Sequence, residues 1–200
     1  MKNKFSSVGK DVVQSEINAL KKLKKFINKD FDEIVNSILK CKGKVIFSGV
    51  GKSGIISKKI SSTLSSLGIS SFYVDAGSCS HGDLGVISSG DILIIISHSG
   101  ESSELKNIIR YAKSNKILLI SIVSKKDSIL YKASDIKLLL PTVIEAGGIV
   151  PTASTTAQLA LGDALAIAVM QNKKFGKIDF KKLHPAGSLG VQLKTVEDVM

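Results

Sequence analysis

The sequence predicts an α/β fold: five parallel strands in one sheet with helices on both faces, making three layers. Three observations carry that expectation. Short apolar runs alternate with helix-patterned segments along the chain. In the runs at 44–47 and 91–96 every residue after the leading Lys44 and Asp91 is apolar, without alternation, as in strands covered on both faces. Each of these two runs ends in a glycine- and serine-rich loop that opens into a helical pattern.

The elements follow in order. Val13, Ile17, Leu20, Leu23 and Ile27 recur at three- and four-residue steps and predict one helix with a single apolar face. Asp30, with Glu33 three residues on, resembles a capping box and predicts the start of a second helix, ended by Gly43. After the first loop, Ile55, Ile56, Ile60, Leu64 and Leu67 form a helical stripe stopped by Gly68. A short strand is expected at 71–74, another at 91–97, a helix at 103–114 and a strand at 116–123. The apolar run 135–140 is closed by Pro141, and the alanine- and leucine-rich stretch 152–171 predicts a long buried helix. The tail 183–193 carries a turn of its own.

Composition narrows the classes. A chain of 200 residues with 44% hydrophobic content and a mean hydropathy of +0.22 suits one domain with a real core. No uninterrupted apolar segment approaches the roughly 18–20 residues of a membrane helix. The basic start, 1–6, lacks the apolar stretch that follows in a signal peptide. Cys41 and Cys79 do not make a disulfide framework, and a reduced, cytoplasmic protein is expected. The net charge is +11, but aromatics are 5% of residues and no nucleic-acid motif is present. No nucleic-acid or membrane partner is expected. Paired lysines on solvated helix faces account for the charge, and their field favours an anionic small substrate.

The two loops carry the chemistry. In an open parallel sheet, ligands lie beyond the carboxyl ends of the strands where the strand order reverses. Gly49-x-Gly51-x-x-Gly54 has the spacing of a dinucleotide loop, and Asp75 follows a strand where a ribose-binding acid would lie. Lys52 and Ser53 suit a single terminal phosphate better, and the same glycines also make a tight strand-to-helix turn. In the second loop Ser97, Ser99 and Ser102 surround Gly100; capping needs one serine, whereas three hydroxyls at a helix start suit an anion. Glu104 is a proton-transfer candidate one turn from that loop. His81, His98 and His184 all lie in Gly-, Ser- or Pro-rich loops. His81, Asp83, Glu104 and His184 match no standard metal spacing, so no metal is assigned. Thr152 and Ser154 cap or bind at the start of the longest helix.

Together, Gly49–Gly54, the segment Ser80-His81-Gly82-Asp83-Leu84-Gly85, Ser97-x-Ser99-Gly100-Glu101-Ser102-x-Glu104, Pro151-Thr152-x-Ser154-Thr155-Thr156 and His184-Pro185-x-Gly187 resemble the sugar isomerase (SIS) domain of arabinose-5-phosphate isomerases. The resemblance implies a flavodoxin-like, SIS-type sheet over residues 1–200, with the helices of 1–42 packed on it. It implies interconversion of D-ribulose 5-phosphate and D-arabinose 5-phosphate through an enediol, supplying Kdo synthesis, without a cofactor. It implies a homotetramer with sites near subunit interfaces. Lys52, His81, Glu104, Glu145 and His184 would be catalytic. Gly51, Ser53, Ser97, Ser99 and Ser102 would hold the phosphate, and Gly49, His98, Thr152 and Ser154 other parts of the substrate. His98 stands where such proteins often carry asparagine or glutamine. Many relatives continue into paired CBS modules, whose start 194–200 resembles. A binding-only regulatory domain and, on the glycine spacing and Asp75, an NAD-dependent dehydrogenase are the competing readings.

Overall fold

A computed structural model describes residues 5–184. Two helices, α1 (Phe5–Phe26) and α2 (Lys29–Lys40), precede an alternating series. That series is β1 (Val45–Gly49), α3 (Gly51–Ser66), β2 (Ser71–Asp75), β3 (Ile92–Ser97), α4 (Leu105–Ser114), β4 (Leu118–Val123), α5 (Ile129–Ala133) and β5 (Ile136–Leu139). The helices α6 (Ala153–Asn172) and α7 (Lys177–Leu183) close the described chain. Short 3₁₀ turns lie at Ser78–His81, Asp83–Val86 and Ala146–Gly148.

All five strands are parallel and run in the order β2-β1-β3-β4-β5. β1 and β3 are buried along their whole length, as their unbroken apolar runs require. One face packs Phe47, Ile94, Ile96 and Ile120 against α2, α3 and α6. The other packs Ile46, Leu93, Ile95 and Leu119 against α4 and Leu130 of α5. The chain leaves β1 for β2 on one side and returns to β3 on the other. The order therefore reverses between β1 and β3, whose carboxyl ends lie side by side. This is the flavodoxin order and not the dinucleotide-binding 3-2-1-4-5-6 order, which removes the fold-level support for a dehydrogenase.

α6 organises one face, touching α1, α2 and α3. It crosses α3 closely at Gly162, where a Cβ would overlap the Ile60 side chain. α6 is also long and apolar enough to span a membrane by length and mean composition, although Gln158 and Asp163 interrupt its apolar run. Here it is a core helix, with Ala157, Leu161, Leu165 and Val169 buried beneath its neighbours.

Other expectations shift locally. The second helix begins at Lys29 with Asn28 as its cap, accepting from Asp30 N at 2.9 Å; Asp30 lies inside the first turn, and the helix ends before Gly43. The helix after the second loop starts at Leu105 rather than 103, because Ser103 and Glu104 form a turn ahead of it, closed by Leu105 N donating to the Ser102 carbonyl at 3.1 Å. The predicted face of the first helix is only partly used. Ala19 and Leu23 are buried, while Val13 (55% exposed), Ile17 (40%) and Leu20 (36%) stay open beside Ile27. In α3, Ile60 and Leu64 are buried but Ile55 is outside the core. The tail motif beyond His184, including Pro185 and Gly187, and the segment 194–200 lie outside the described residues.

Because α3 and α6 touch at a glycine, Gly162→Val should force Ile60 aside and destabilise the fold by about 1–3 kcal/mol. Urea unfolding measures this directly, and an unchanged midpoint would mean that the helices separate at no cost.

Candidate active site

The site is built at the reversal point. β1 ends at Gly49 beside Ile96 of β3, and the turn into α3 follows at once. Gly51 sits at φ +58°, which favours glycine. A Cβ at Gly49 would come within 2.8 Å of the Ile96 carbonyl, and one at Gly54 within 2.8 Å of the Gly49 carbonyl. The glycine spacing thus serves close packing of the strand–turn–helix unit against β3. No side chain among the described residues caps α3: Val50 precedes it without a hydroxyl or carboxylate. Its first N–H groups therefore remain open, with the positive end of the helix dipole behind them.

The loop after β3 faces this helix end. Ser97 Oγ accepts from Gly100 N at 3.0 Å and Ser99 Oγ accepts from Glu101 N at 3.3 Å. These bonds fix the turn while leaving each hydroxyl hydrogen to donate elsewhere. Gly100, at φ +68°, packs so tightly that a Cβ would overlap Ser128. Glu101 Oε1 accepts from Ile129 N at 2.9 Å and the Gly100 carbonyl accepts from Leu130 N at 3.2 Å, so the start of α5 pins the loop from behind. His98 is tied to the loop after β4, its Nδ1 lying 3.2 Å from Ser124 Oγ.

The third wall is α6. Glu145, in the segment before it, accepts at one carboxylate oxygen from Thr152 N (2.8 Å), Ser154 N (3.2 Å) and Thr152 Oγ1 (3.4 Å). The N-terminus of α6 is thus already occupied by this chain's own carboxylate, whereas that of α3 is open. Burial alone pushes the Glu145 carboxyl up, but the hydrogen bonds from Ser154 and Thr152 outweigh it and hold the pKa below the usual glutamate value.

These three walls enclose a cavity of about 270 Å³. Lys52, Ser53, Ser97, His98, Ser99 and Ser102 line it, and so do Glu145 and Ser154. A cluster of hydroxyl and amide donors, a cation and a carboxylate around a space of this size suits one small anionic ligand.

A model of the SIS domain matches residues 38–168. The chain belongs to the SIS domain family. The arabinose 5-phosphate isomerase KdsD of Yersinia pestis is 44% identical over 199 residues, covering 98% of this chain and 61% of that protein. KdsD of Escherichia coli O157:H7 is 41% identical over 199 residues, with the same coverage. A solved structure of c3406 from E. coli CFT073, in complex with arabinose 5-phosphate, superposes at a TM-score of 0.88 with 35% identity, covering 92% of this chain and 100% of that one. The chain thus spans 61% of the length of these curated relatives.

The SIS pocket does not gather every residue singled out from the sequence. Gly49 and Gly51 shape the first turn, and Thr152 holds Glu145 rather than lining the cavity. Glu104 is exposed at the N-cap position of α4, two residues beyond Ser102, where its Oε2 accepts from Ser103 Oγ at 3.1 Å. His81 is exposed on the 3₁₀ turn after β2. His184 stacks on Phe180 at the end of α7, with its Nδ1 2.9 Å from the Phe180 carbonyl. The same end of the molecule holds Phe175 and Leu183 against Gly68, which follows the carboxyl end of α3. His184 is therefore at the far end of the helices whose N-termini face the pocket. His81, Asp83, Glu104 and His184 do not converge; among the described residues no group of three or more His, Cys, Asp or Glu side chains is arranged for a metal ion. Asp75 is committed elsewhere, accepting from Ser78 N at 3.0 Å and from the Tyr73 hydroxyl at 3.1 Å. Sequence reading missed Thr155 and Gln158, which line the cavity. The signal was present as positions 151, 154, 155 and 158, which fall on one face of an otherwise apolar helix and its entry.

The depressed Glu145 pKa has a defined pH consequence. Its contribution to stability is complete above the unfolded glutamate value of about 4.3 and is lost as pH falls through the lower folded value. Glu145→Gln should therefore melt below the wild type at neutral pH, and the two melting temperatures should converge on acidification. A constant gap from pH 7 to pH 3 would contradict this placement of the carboxylate.

Proposed function

We propose that this chain catalyses the aldose–ketose interconversion of D-ribulose 5-phosphate and D-arabinose 5-phosphate, a step that feeds Kdo synthesis. The observation that carries the reading is the meeting of an uncapped helix start, the serines of two loops, Lys52 and a carboxylate around one small cavity. The names of the KdsD relatives, and the arabinose 5-phosphate bound in the solved neighbour, support the choice of sugar.

Isomerisation of the ketose removes a proton from C1, forms an enediol and returns a proton to C2, while the hydroxyl proton moves between the two oxygens. It needs an anchor, a base and an electrophile at the developing enediolate oxygen. Ser53, Ser97, Ser99, Ser102 and the first amides of α3, at Gly51, supply the anchor. Lys52 supplies positive charge to the phosphate or the enediolate. Of the two carboxylates, Glu145 is tied to backbone N–H groups and held acidic, which makes it a weak base and a good clamp. Glu104 is exposed and, among the described residues, bonded to the neighbouring Ser103 hydroxyl, so it can turn toward the sugar, and the proton shuttle is assigned to it. The proton transfers move no electrons to or from the substrate as a whole, so the scheme calls for no redox cofactor.

His81 and His184 lie outside the pocket of their own chain. We assign them to sites completed across subunits of a homotetramer, where they assist ring opening or proton transfer between oxygens. Apolar side chains left open on α1, with Ile144 (79% exposed) and Ile149 (86%) beside the pocket segment, support such an assembly. We place the protein in the cytoplasm, in keeping with its two free cysteines.

With ribulose 5-phosphate and no nicotinamide, the protein should yield arabinose 5-phosphate, and in D₂O the product should carry deuterium at C2. Glu104→Gln should bind the sugar phosphate within a few-fold of wild type but lose turnover by roughly 10²–10⁴ and lose the C2 exchange. A wild type that binds the sugar without exchange would instead be a binding-only domain. Normal turnover by the variant would place the base elsewhere.

A further inference from the structure

Gln158 lines the pocket, and the scheme above leaves its chemistry unused. It is 1% exposed, yet its Oε1 has no hydrogen-bond partner among the described residues. Two other buried oxygens share that condition, Ser48 Oγ and Ser121 Oγ, but both lie in strands and neither lines the cavity. Gln158 does so one helical turn beyond Ser154, on the same face of α6. At 1.5 Å per residue it sits about 6 Å further along the helix axis than Ser154, away from the Glu145 clamp. A buried acceptor without a donor costs stability, and an apolar side chain of the same shape would fill the position without that cost. The amide is therefore explained by what enters the cavity.

The chemistry of that ligand atom is constrained. A carbonyl oxygen cannot receive a phosphate oxygen, since both are acceptors, whereas a hydroxyl both donates and accepts and suits either orientation of the amide. We propose that Gln158 is a specificity-determining contact of this pocket, whose amide holds a hydroxyl of the sugar while the serine loops hold the phosphate. This rests on the sugar-phosphate reading given above. It orients the ligand, with its phosphate at Ser97, Ser99 and Ser102 and its polyol chain along α6 toward Gln158.

The test compares two probes, inorganic phosphate and arabinose 5-phosphate, by calorimetry on wild type and Gln158→Met, together with thermal melting. Gln158→Leu serves as a second variant should the first be recovered unfolded. The wild type should bind the sugar phosphate more tightly than phosphate. The variant should bind phosphate within twofold of wild type, weaken for arabinose 5-phosphate by roughly ten- to a hundredfold and melt no lower. Unchanged sugar-phosphate affinity in the variant overturns the assignment of Gln158 alone. So does equal loss of both ligands with a lower melting temperature, which would make the amide a structural group. A wild type that fails to prefer the sugar phosphate over phosphate overturns this assignment and the proposed function together.

Discussion

The site depends on one topological constraint: the reversal of strand order between β1 and β3. Crossovers carry the chain to opposite sides of β1, so neither crossover helix lies over the carboxyl ends of these two strands. The turn after β1 and the loop after β3 must then share a small volume. Each supplies donors rather than acceptors, the first from amides left open at the start of α3, the second from hydroxyls whose oxygens already accept from their own turn. Unbalanced donors facing one space amount to a built demand for an anion.

Rigidity comes from behind the site. Gly100 is wedged against Ser128, and Glu101 accepts from the first residue of α5. Glu145 joins the segment before α6 to the start of that helix. These contacts fix donor positions before a ligand arrives, which is where a preorganised site gains over water. The two helix starts at the cavity differ in one respect that bears on the proposed orientation of the ligand. The one on α6 is neutralised internally by Glu145, and the one on α3 is not.

Much of this was legible in the residues. Unbroken apolar runs such as Ile92–Ile96 identify strands buried on both faces, and glycines at fixed offsets identify the turn into α3. Ser97 and Ser99 announce a donor-rich loop by number alone, since a cap needs only one hydroxyl. What was not legible is long-range. The Glu145–Thr152 clamp joins residues whose contact depends on a 3₁₀ turn, and a carboxylate's role as clamp or base does not follow from its presence. Periodicity showed an apolar face on the first helix but not that Val13 and Ile17 remain uncovered. Gln158 was passed over because its side of the helix is marked only by its spacing from Pro151, Ser154 and Thr155, and not by its immediate alanine and leucine neighbours. The position of His184, at the opposite end of the helices from the pocket, follows from α6 being 20 residues long and running away from it.

The central claim is that the ends of β1 and β3 form a single phosphate cradle. A crystal structure of the protein with arabinose 5-phosphate bound tests it most directly. The account predicts the phosphate within hydrogen-bond distance of Ser97, Ser99 and Ser102 and of the first amides of α3, with the sugar extending along α6. A phosphate seated on the N-terminus of α6 in place of the Glu145 carboxylate, or bound away from both loops, would contradict it.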